Sequence, residues 1–63
     1  MNKRTFKKAV EARFKKDNPK WEPEHANEID NVLNHLLREG NIKLTTKIGT
    51  AAKYVAEFIE PAF

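Results

Sequence analysis

From residue 3 to residue 16 apolar side chains recur every three or four positions, at Phe6, Ala9, Val10 and Phe14, while Lys3, Lys7, Lys8, Glu11, Lys15 and Lys16 take the positions between them. That spacing gathers the apolar set on one side of an α-helix and leaves a lysine-rich outer face. Glu11 stands one turn from both Lys7 and Lys15, pairs that contribute only about 0.2–0.5 kcal/mol each. Asp17-Asn18-Pro19 closes the helix, because a residue before proline is driven out of the helical region and Asp and Asn favour turns. The connection over 17–23 carries Trp21, the single tryptophan. It is expected as a lid across the gap between two helices; the alternative is an exposed anchor for a partner or a base.

A second helix is predicted over 24–39, with Ala26, Ile29, Val32, Leu33, Leu36 and Leu37 as one apolar stripe. Pro23 suits a first turn, Glu24 suits the positive end of the helix dipole, and Gly40 suits the left-handed residue that ends a helix. The stripe is read as core, with a leucine seam to a partner helix as the alternative. Beyond Gly40, Ile42 and Leu44 switch to a period of two. In one reading, strands over 42–47 and 52–58 are joined around Ile48-Gly49-Thr50-Ala51. In the other, Thr50 caps a third helix over 50–60 whose core face is Ala51, Tyr54, Val55, Phe58 and Ile59, stopped by Pro61. The local spacing leans toward the helix.

A helix ending in LLREG and followed by NIKLTTKIGTAAKYV resembles the end of the third helix and the hairpin wing of a winged-helix domain. Residues 5–58 as a whole are most similar to the second helix, third helix and wing of the linker-histone globular domain. This resemblance decides for the hairpin and implies one α+β, winged-helix-like domain over 1–63, its hairpin at about 42–58; the all-α three-helix bundle stays as the alternative. In that family the third helix enters the major groove, and the wing and a second basic patch touch the DNA backbone. Matched by position, the wing contacts fall on Lys43, Lys47 and Lys53 and the second-helix contacts on Lys7, Lys8, Lys15 and Lys16. The matched groove helix is acidic, with Glu24, Glu28 and Asp30. DNA contact is therefore expected from the first helix and wing. The family's first helix has no counterpart, which would leave apolar surface bare for a second copy or a host protein.

Charge sharpens this picture. Residues 1–20 hold eight basic and two acidic side chains, residues 21–40 one and five, and residues 41–63 three and two. A basic end and an acidic middle are more informative than the net +3. Nucleic acid is the expected partner, its phosphates met by Lys3, Arg4, Lys7, Lys8, Lys15, Lys16, Lys20, Arg38, Lys43, Lys47 and Lys53. The competing expectation is a protein-binding module of the kind small phage-type proteins use to inhibit or redirect a host enzyme, with Trp21, Glu24 and Glu28 as its contacts. An RNA- or ribosome-associated role shares the basic helix but lacks an aromatic stacking motif.

Sixty-three residues without cysteine make one small domain that buries only about 60% of its unfolded surface and has no disulfide to brace it. No run reaches the roughly 20 apolar residues of a membrane span, so a cytoplasmic protein is expected, nucleoid- or nucleus-associated if it binds DNA. Serine and cysteine nucleophiles are missing, and the two glycines, Gly40 and Gly49, form no phosphate-binding loop. No enzymatic activity, small-molecule substrate or cofactor is expected. His25 and His35 are ten residues apart, and His35 with Glu39 supplies only two ligands, so no metal is expected.

Overall fold

The computed structural model describes residues 2–20 and 27–59. Three helices follow in order: α1 (Lys3–Asp17), α2 (Glu28–Glu39) and α3 (Ile48–Ile59). Asn2 opens α1 by accepting the Thr5 backbone N–H on Oδ1 at 2.8 Å, the side-chain cap that satisfies one of the free N–H groups of a first turn. At the other end the Asn18 backbone N–H and side-chain Nδ2 both donate to the Phe14 carbonyl, at 2.9 and 3.0 Å. Pro19 holds Asn18 out of the helical region, at φ −131° and ψ 65°.

α2 begins after Asn27 with Glu28 and Asp30 in its first turn and Arg38 in its last, each sign placed to suit the helix dipole. An earlier start at Pro23 or Glu24 falls outside the described residues. Gly40 ends α2 at φ 79°, a conformation that only glycine adopts without strain. Its N–H donates to the Leu37 carbonyl at 3.3 Å and the Asn41 N–H to that of Leu36 at 3.0 Å, the paired bonds of a Schellman motif.

The expected winged-helix architecture is overturned at residues 42–58. Among the described residues there is no strand, and 48–59 is helical. The likeness to the linker-histone domain therefore does not extend to the fold, which is all-α, the arrangement held above as the alternative. The physical reason lies in the side chains. Ala51, Ala52 and Val55 are buried and Ile48, Ala56 and Ile59 partly so, a set that a helix brings to one face. A strand would instead send Ala52 and Val55 to opposite faces, and a lone two-stranded hairpin is marginal in water. The Ile42 and Leu44 alternation is no strand either. Ile42 is 2% exposed and anchors the connection, whereas Leu44 is 37% exposed. Thr46 then turns the chain, its Oγ1 accepting the Lys43 N–H at 2.8 Å and its own N–H donating to the Lys43 carbonyl at 2.9 Å.

The third helix also differs from its sequence-based version. It starts two residues before Thr50, with the Lys47 carbonyl accepting the Ala51 N–H at 2.9 Å. Tyr54 and Phe58 are 40% and 51% exposed, so the buried face is rotated toward Ala52 and Ile48. That rotation sets small side chains of α3 opposite the large Phe6, Val10 and Phe14 of α1, and these two helices make the broadest contact in the molecule. Ile29, Val32, Leu33 and Leu36 of α2 complete the core. Because α3 covers this apolar surface, the bare face inferred from a missing family helix no longer argues for a second copy.

Candidate anion-binding surface

α1 carries its cations on three sides of the helix. At 100° per residue, Arg4, Lys8 and Lys15 fall within about 40° of one another, turned away from the buried Phe6, Val10 and Phe14. All three are exposed. Lys15 Nζ meets Glu11 Oε1 at 2.9 Å in a solvent-exposed pair, too weak to hold it from a competing anion. Lys16 lies about 100° further round and Lys20 follows in the turn, both exposed.

Lys7 faces α2 and is put to a different use. Its Nζ stands 2.6 Å from Asp30 Oδ1 and donates to Asn34 Oδ1 at 3.2 Å, while Asn34 Nδ2 donates to Asp30 Oδ2 at 3.2 Å. The three groups satisfy each other, and the lysine side chain is 20% exposed. Lys7 is thus a link between α1 and α2, and Asp30, though 44% exposed, already has a lysine partner.

Two open grooves adjoin along this edge. The first, between α1 and α2, is lined by Lys3, Arg4, Lys7 and Lys8 against Glu11 and Asp30. The second shares Lys3 and Asn34 with it and continues past Leu37 and Arg38 to Lys43. Lys43 therefore belongs with Lys3 and Arg38, in the α2–α3 connection. Lys47 and Lys53, expected beside it on a wing, sit at the opposite end of α1. There they meet Arg13, whose guanidinium lies over Gly49 and whose Nε donates to Asp17 Oδ2 at 3.1 Å. Arg13 joins this cluster only through folding, and nothing in its own segment announces a contact with residues 47–53.

Of the residues expected to bind a protein partner, Trp21 and Glu24 lie outside the described residues, as does His25. Glu28 is half-buried in the first turn of α2. His35 packs its ring on Phe58, centroids 5.1 Å apart and planes tilted by 46°. Among the described residues no group of three metal-ligating side chains comes together, no ionisable side chain is buried and no buried side-chain nitrogen or oxygen lacks a partner. No described helix is long and apolar enough to cross a membrane. What this geometry offers is surface attraction for anions, distributed over one helix face and its two ends. No family model, no curated protein and no solved structure matches this chain.

Proposed function

We propose that the chain is a non-enzymatic DNA-binding protein that grips the phosphate backbone through the outer face of α1. The observation that carries this reading is the alignment of Arg4, Lys8 and Lys15 on the side of the helix away from the core, with only Glu11 among them. Phosphate contacts of this kind give affinity without sequence information. Lys16 and Thr5, both exposed and about 80–100° round the helix from the row, and Lys20 in the turn that follows, widen the surface open to phosphates. A cytoplasmic or nucleoid setting accompanies this reading.

The test is binding of a labelled random-sequence duplex as salt is raised. Three to five neutralised phosphates give a slope of log affinity on log salt of roughly −3 to −4.5. Arg4→Glu combined with Lys8→Glu is expected to weaken binding on every sequence and to flatten that slope by about 2. Absence of binding at low salt, or an unchanged slope in the double variant, overturns the proposal.

A further inference from the structure

The groove at the α2–α3 connection differs from its neighbours in what it lacks. The groove between α1 and α2 contains Glu11 and Asp30, and the one beside Arg13 contains Asp17; among the described residues, none that lines this one is a carboxylate. Lys3, Arg38 and Lys43 rim it, all exposed, and none forms an ion pair among the described residues. Its floor is apolar, formed by the half-buried Leu37, the buried Ile42 and the exposed Leu44. Gly40, with open space where a side chain would stand, keeps one end clear. The negative end of α2 also lies here, but its half charge is small against three full cations.

From this we infer a second binding function: the groove docks an acidic amphipathic segment of a partner protein, leucine-like side chains seated on Leu37, Ile42 and Leu44 and carboxylates meeting Lys3, Arg38 and Lys43. Charge complementarity selects the sign of the partner and the floor selects its apolar face. Phosphates need cations alone, and a duplex has no apolar side chains to lay on such a floor. The space is ≈ 630 Å³ but open along its length, which suits a stretch of chain laid across it. The groove shares Lys3 and Asn34 with the neighbouring one that Arg4 and Lys8 line, but none of Arg4, Lys8 and Lys15 lines it.

The probe is a synthetic helix-forming peptide of glutamate and leucine with the leucines on one face, titrated into isotope-labelled protein while amide resonances are followed. Saturable shifts are expected at Gly40, Ile42, Lys43 and Leu44. Arg38→Glu with Lys43→Glu should weaken binding at least about tenfold, and Leu44→Ser, which leaves the charge intact, by about three- to tenfold. Each variant is first checked for an unchanged thermal midpoint, which the exposure of these side chains leads one to expect. Three results overturn the inference. They are no shift at 40–44, equal binding of a peptide of the same composition with its leucines spread around the helix, and displacement of the peptide from 40–44 by random-sequence duplex.

Discussion

The two glycines respond to alanine with opposite signs if the chain after Gly40 is helical. Gly49 lies in the first turn of α3, and of the two glycines only Gly40 has a positive φ. In a helix, replacing glycine by alanine contributes about 0.5–1 kcal/mol, and a first-turn position takes the lower part of that range. Against this, the new Cβ stands 3.3 Å from both terminal nitrogens of Arg13. The obstacle is the far end of a side chain that is 49% exposed and held by one surface pair with Asp17, a contact worth a few tenths of a kcal/mol at most. Arg13 can therefore swing aside, and Gly49→Ala should stabilise by about 0.2–0.4 kcal/mol net, a rise of roughly 1–3 °C in Tm for a domain of this size. Gly40→Ala meets no steric neighbour but keeps φ 79°, which costs about 1–2 kcal/mol and lowers Tm by at least about 4 °C. Thermal and urea unfolding followed by far-ultraviolet circular dichroism measure both. In an Arg13→Ala background the Gly49→Ala gain should grow by a few tenths of a kcal/mol. Had Gly49 been the turn of a hairpin, alanine there would destabilise; a fall in Tm for both glycine variants refutes the helical account.

Two further outcomes follow from the packing and the caps. Val55→Ala removes two carbons from a fully buried position and should cost about 1–2 kcal/mol after the better helix propensity of alanine is subtracted, whereas Tyr54→Ala beside it should change stability by less than about 0.5 kcal/mol; equal losses in urea unfolding would mean that the face of α3 is misassigned. Asn2→Ala deletes the bond to the Thr5 N–H and should cost about 1 kcal/mol, while Asn2→Asp should retain it; amide exchange at Thr5 reports the cap directly, and unchanged exchange in the alanine variant argues against it.

Much of α1 and α2 could be read from the chain because their signals are local. Phe6, Val10 and Phe14 repeat at one spacing and Ile29, Val32, Leu33 and Leu36 at another, with Asp17-Asn18-Pro19 closing the first helix and Gly40 the second. The segment after Gly40 carries two competing local signals: an alternation at Ile42 and Leu44, and a helical spacing over 50–60. The family resemblance weighted the first. What decided the matter physically was non-local, namely the surface of α1 that Ala51, Ala52 and Val55 cover. Tyr54 and Phe58 were misplaced for a related reason. Size and apolarity suggest burial, but an α3 packed tightly on Phe6 and Phe14 leaves room for alanine at the seam and sends its aromatic side chains to the flank.

The candidate surface was less legible, since counting charges along the chain does not say which remain available. The acidic middle loses Asp30 to Lys7, and the basic start loses Lys7 to Asp30, so one bridge diminishes both of the binding faces that the sequence suggests. Arg13 and Lys43 move in the opposite direction. Folding brings Arg13 to Lys47 and Lys53, and it carries Lys43 away from those two lysines to Lys3 and Arg38. The lysines that resembled one wing are therefore divided between opposite ends of α1. The expected wing that would have held all three together is absent among the described residues, whereas the row of Arg4, Lys8 and Lys15 needs no contribution from them. This division is also what leaves Lys3, Arg38 and Lys43 beside an apolar floor and free for a ligand of different chemistry.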